Sequence, residues 1–162
     1  MKKIILFLVV LMIAGTVSVF AEDADSGTPH IKPTFSFGFI SAKEGKEDSE
    51  TITALGLDVD FITGKGLTMG IQNILAWKKK VTMVNLNNFG LGYTYNAEKW
   101  SLGGKLMVIP NEFLDGGMGF NIGFNYWVAP DFGLTALMDI GFSMGDVKWS
   151  TFGLRFGIST KI

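Results

Sequence analysis

In eight separate segments of this chain, large apolar residues alternate with small or polar ones, and that period of two is its strongest constraint. The segments are Thr34–Phe39, Ala54–Phe61, Leu67–Gln72, Phe89–Tyr95, Trp100–Leu106, Met118–Tyr126, Phe132–Phe142 and Phe152–Ile158. Within the sixth, Met118, Phe120, Ile122, Phe124 and Tyr126 interleave with Gly119, Asn121, Gly123 and Asn125. Successive side chains of a strand point to opposite faces, so each segment reads as a strand with one apolar and one polar or tiny face. Eight such strands leave almost no room for helix.

The character of the second face decides between two barrels. It carries Gly38, Gly56, Gly70, Gly90, Gly92, Gly103, Gly119, Gly123, Gly133, Gly141, Gly153 and Gly157, with Ser, Thr, Asn, Asp, Lys and Arg between them. A secreted, lipocalin-like barrel would put its large residues inside and leave a glycine-rich surface, which makes poor strands. A membrane barrel puts the apolar face outward and the polar face inward. Small inward residues let an eight-stranded tube close around a few long polar side chains. The expected fold is therefore all-β, an eight-stranded antiparallel up-and-down transmembrane β-barrel.

The N-terminal residues have another character. Lys2 and Lys3 precede an unbroken apolar run, Ile4 to Ala14, and Val19-Phe20-Ala21 has the small residues at −3 and −1 of a signal-peptidase site. The run is too short and too well ended for an uncleaved anchor. Residues 1–21 read as a signal peptide cleaved between Ala21 and Glu22, and residues 22–162 as the barrel domain. No cysteine follows the site, which excludes a lipid-anchored lipoprotein, a disulfide staple and a thiolate metal site. Two of the 14 basic residues leave with the signal peptide, so 12 stand against 15 acidic ones, a net charge near −3 that argues against nucleic acid.

The connections alternate in character too. Charged or longer ones (Lys43 to Glu50, Lys78-Lys79-Lys80, Pro110 to Asp115) take turns with tight ones (Thr63-Gly64-Lys65, Asn96-Ala97-Glu98, Ala129-Pro130-Asp131), and a short one surrounds Gly145-Asp146. Outer-membrane barrels pair longer outside loops with short periplasmic turns. Lys78–Lys80 offers charge to anionic lipid head groups; the plainer reading is a solvated loop. Aromatic residues sit at strand ends: Phe61, Tyr95, Trp100, Tyr126 and Phe132 at the expected periplasmic side, Trp77 and Phe142 at the outer side. Their rings suit a membrane–water interface.

The stretch Asn125-Tyr126-Trp127-Val128-Ala129-Pro130-Asp131-Phe132-Gly133-Leu134 has an aromatic strand end, a Pro-Asp turn and a Gly-Leu restart. With the rest of the pattern it resembles the outer-membrane protein β-barrel superfamily, which includes the OmpA-type membrane domain, OmpX and OmpW. The resemblance implies an eight-stranded barrel in the bacterial outer membrane, without implying one activity. Members usually end in an aromatic residue that helps the assembly machinery; this chain ends in Ile162.

Residues for catalysis are sparse. His30 is the only histidine, near the expected mature N-terminus and without a Ser and acid at suggestive spacing. It reads as a solvated strand-start residue. No metal-ligand cluster, phosphate loop or Ser-His-Asp set appears, so the chain is not expected to be an enzyme or to need a cofactor. The constellation that stands out is inward and polar: Asp58, Asp60, Gln72, Lys105, Asn121, Asn125, Asp139 and Arg155. Charges in a narrow tube must be paired or hydrated. Asp139 and Arg155 lie at diagonal spacing on neighbouring strands, and Lys105 is expected to find an acid or amide across the lumen.

The expectation is a structural or surface-interaction protein of the outer membrane, its lumen largely plugged. The alternative is a passive channel for small solutes or hydrophobic compounds, OmpW-like, for which inward Ile40, Ile74, Met107 and Leu137 offer a thin apolar lining. Expected partners are outer-membrane lipid and, during biogenesis, the assembly machinery; a monomer is expected.

Overall fold

In a computed structural model, residues 28–44, 48–77, 84–110, 116–144 and 149–162 are described. The signal-peptide reading, Ala21 and Glu22, the Lys78–Lys80 triplet and the Gly145-Asp146 turn lie outside them.

Eight strands follow in order: β1 His30–Glu44, β2 Glu50–Ile62, β3 Leu67–Trp77, β4 Val84–Asn96, β5 Trp100–Ile109, β6 Gly117–Ala129, β7 Phe132–Ser143 and β8 Trp149–Thr160. Each pairs antiparallel with its sequence neighbour, and β1 pairs with β8 to close the barrel. Closure pairs the edges that an open sheet would expose. Every strand contains an alternating segment and most extend past it. β1 begins at His30 rather than Thr34 because Pro33 does not interrupt it. Ile31 and Ile162 exchange backbone hydrogen bonds, and the β1–β8 ladder resumes at Thr34–Ser159. Pro33, which has no N–H to give, falls between the two.

Following paired residues round the wall gives the stagger. Pro33 faces Val59, then Ile71, Phe89, Val108, Met118, Phe142, Ser150 and finally Lys43. One circuit moves ten residues up β1, from Pro33 to Lys43. With eight strands, that shear tilts them by roughly 40° to the barrel axis.

The apolar face points out. Phe35, Phe37, Phe39, Leu57, Ile71, Leu91, Phe124 and Phe156 are all exposed, Phe156 at 64%. The polar and glycine face points in, the inverse of a soluble barrel. At one end lie the start of β1, the C-terminal Ile162 and the tight connections. There Gly66 takes φ +87°, which only glycine adopts readily, and closes the β2–β3 turn through its N–H to Thr63 O. At the far end of β6, Val128 is an extra residue: Trp127 pairs with Gly133 and Ala129 with Phe132. This bulge lets Val128 and Ala129 both face outward after inward Trp127.

Candidate functional site: the lumen

The lumen is stacked in three zones. At the terminal end, hydroxyls and amides interlock. Thr68 and Thr94 hydroxyls meet at 2.8 Å, Thr135 Oγ1 donates to Asn125 Oδ1 at 2.5 Å, and Ser159 hydrogen-bonds both Thr135 and Asn125. Trp127 turns its ring into this mouth, and Lys161 Nζ lies 3.9 Å above the ring centroid. Partial burial lowers the Lys161 ammonium below its usual pKa, against the pull of Asp131. His30 lines the same mouth with its Nδ1 3.1 Å from the Thr28 carbonyl.

The middle zone is ionic. Arg155, 0% exposed, is its hub. Nε and Nη2 donate to the two oxygens of Asp139 at 2.8 and 3.2 Å. Nη1 and Nη2 donate to those of Asp58 at 3.0 and 3.5 Å, and Nη1 also reaches Ser36 Oγ at 2.7 Å. These five contacts match the five N–H groups of a guanidinium. Asp139 further accepts from Gln72 at 2.9 Å and Asn121 at 2.8 Å, and Gln72 accepts from Asn88 at 2.7 Å. Beside this hub, Asp60 receives Lys105 at 2.5 Å and Lys32 at 3.6 Å. Three bases thus face three acids. Glycines make the room: a Cβ on Gly56 would overlap the Arg155 guanidinium, and one on Gly70 would come 3.1 Å from Lys105 Nζ.

The third zone, toward the longer connections, is apolar. Ile40, Ala54, Ile74 and Ala76 cluster there, with Met107, Ile109 and Trp149 also buried, whereas Leu137 lies lower, between Thr135 and Asp139 at the level of Arg155. Between this collar and the ionic hub lies a cavity of about 40 Å³, touched by Gln72, Asn88 and Asp139 from below. That is room for about one water molecule.

The structure thus brings Asp58, Gln72, Asn121, Asp139 and Arg155 into one contact network, sets the Asp60–Lys105 pair beside it, and places Asn125 in the hydroxyl zone beneath. Sequence reasoning missed Lys32, Ser36, Asn88, Trp127 and Trp149. Lys32 and Asn88 lie just outside the segments first delimited, and extending the alternation by two residues would have found both. Of the expected interfacial aromatics, Phe61, Tyr95, Trp100, Tyr126 and Phe132 face outward at the terminal end and Phe142 at the other. Tyr95 packs 5.4 Å from Trp100, which stacks 6.3 Å from Phe124. Trp77 ends β3; its side chain is outside the described part.

No family model matches the chain, and no curated protein matches it in sequence. Solved structures do match. Neisserial surface protein A superposes with a TM-score of 0.60 at 14% identity, over 82% of this chain and 97% of that one. Ail, the attachment invasion locus protein of Yersinia pestis, gives 0.51 at 14%, over 83% and 99%. The outer membrane protein OprG from Pseudomonas aeruginosa gives 0.52 at 10%, over 86% and 98%. Strand count, closure, inverted faces and these likenesses agree: the chain has the fold of the small eight-stranded outer-membrane β-barrels.

Proposed function

We propose that this protein resides in the bacterial outer membrane as a non-enzymatic, closed barrel that holds its longer connections at the cell surface for a structural or interaction role. The observation that carries this reading is the ionic zone. Arg155, Asp58 and Asp139 neutralise one another across the lumen, as do Asp60, Lys105 and Lys32, and the cavity between them and the apolar collar is about 40 Å³. A path for solutes needs continuous space or hydrated charge, and here the charges are spent on each other. The outward apolar wall and the ring of aromatics at the terminal end support residence in lipid.

A second reading has one observation in its favour. The loop-side end of the lumen is apolar, as a route for hydrophobic compounds would need, but it runs onto Gln72 and Asp139. Conductance of the refolded protein in planar bilayers tests the choice. Wild type is expected to stay silent; stepwise openings of the wild-type protein would overturn the closed reading in favour of a channel.

A further inference from the structure

Among the described residues, the outward wall is apolar at mid-height except at one place. Asn73 on β3 and Asn87 on β4 are direct cross-strand partners, and Asn73 Nδ2 donates to Asn87 Oδ1 at 2.6 Å on the outer surface. Asn73 stands between Ile71 and Leu75 on its own strand and faces Leu57 across β2, while Phe89 precedes Asn87 along the wall. Six residues separate Asn73 from Leu67 at the strand start, about 20 Å along the strand at ~3.3 Å per residue. With the strands tilted by roughly 40°, that is about 15 Å of depth, inside an apolar band of about 25 Å.

An asparagine amide carries two N–H donors and an oxygen with two acceptor sites. The bond between Asn73 and Asn87 uses one donor and one acceptor site, and the remaining capacity points outward. Hydrocarbon chains offer neither donor nor acceptor, so this capacity is costly against lipid. Immediately below the pair, the same wall carries a groove of about 540 Å³, lined by Val59, Met69, Ile71, Phe89, Leu106 and others, with the Gly70–Gly90 pair at its floor.

Resting on the membrane reading above, we propose that this wall, β2 to β5, is the contact face of a homodimer within the bilayer. A primary amide is its own complement, since it both donates and accepts. A twofold axis through the Asn73–Asn87 pair sets each copy's spare N–H groups against the other's oxygens, the isologous arrangement of a two-fold dimer. The same axis sets side chains rimming one groove, such as Leu91 (58% exposed), toward the groove of the other. Amide side chains serve as such glue between membrane-embedded elements. This replaces the monomer expected from the sequence, which had no means of placing Asn73 beside Asn87.

The chain has no cysteine, so single cysteines report contact cleanly. Ile71→Cys on the proposed face and Phe156→Cys on the opposite wall are refolded into phosphatidylcholine vesicles and oxidised. The face variant is expected to form disulfide-linked dimers and the far-wall variant to remain monomeric. Adding Asn73→Leu and Asn87→Leu to Ile71→Cys is expected to slow cross-linking about tenfold, with heat-modifiable gel mobility unchanged. Equal cross-linking at both walls, or undiminished cross-linking without the amides, overturns the proposal. A lipid retained at this wall in native mass spectrometry, with no dimer, also overturns it and assigns the groove to lipid. Failure of the membrane reading looks different: the wild-type protein itself would then neither enter vesicles nor show heat-modifiable mobility.

Discussion

Between Lys32 and Asp139 the lumen holds six charges in two adjoining triads, Lys32–Asp60–Lys105 and Asp58–Arg155–Asp139; further up the same strands, around Ile40, Ile74, Met107 and Ile109, its walls are apolar. Both zones are buried, and both fill the same tube. They differ in how they fail. An apolar side chain removed from the collar leaves a void whose cost follows its volume. A charge removed from the middle leaves its partners unpaired in a place water barely reaches, which costs more than the pair contributed. The ionic zone is therefore the more demanding of the two: it fixes which side chains must be present together, whereas the collar asks only for apolar volume.

The largest effect is expected where one residue serves the most partners. Arg155→Ala strands both Asp58 and Asp139, and removing one member of a buried ion pair already costs on the order of 3–5 kcal/mol. Urea unfolding of the barrel refolded in vesicles should show a loss at least that large. Asp139→Asn alone should recover only part of it; adding Asp58→Asn as well should recover most. Full rescue by Asp139→Asn alone would mean that Asp58 is solvated and that the hub is smaller than its geometry indicates.

The collar should give a smaller loss that no second charge change can rescue. Ile40→Ala is expected to cost about 2–4 kcal/mol, measured by the same unfolding, with Ile40→Val well under half of that. A loss near zero would mean that this end of the lumen is wet.

The smallest effect tests the room made for the hub. Gly56→Ala sets a methyl against the Arg155 guanidinium, whose Cζ lies 2.8 Å from the new atom, so the fork must shift. Overpacking of this kind costs about 1–3 kcal/mol. In the Arg155→Ala background the same substitution should cost less, and a double-mutant cycle reads the coupling. Additive losses would separate the glycine from the hub.

Much of this was legible beforehand. Inward and outward assignments could be read for Asp58, Asp60, Lys105, Asp139 and Arg155 because side-chain direction along a strand is a local property with a period of two. The Arg155–Asp139 pair was legible too, since one short connection joins their strands. Lys32 was missed because the first alternating segment was delimited from Thr34, two residues beyond it. A proline can sit in β1 because its missing donor falls at a gap in the β1–β8 ladder, which depends on how the last strand meets the first.

By itself the sequence determined eight strands, their two faces and the polar content of the tube. The tertiary structure decided who meets whom. Sliding any strand by two residues leaves every side chain on the face it had, so alternation fixes register only to within steps of two. The shear of ten residues selects one register among these. It carries Arg155 to Asp58 across 97 positions of sequence and Lys105 to Asp60 across 45, and it sets Asn73 beside Asn87 on the outer wall. Those meetings depend on closing the whole ring, because the last strand can pair with the first only when the staggers of all the others add up to fit.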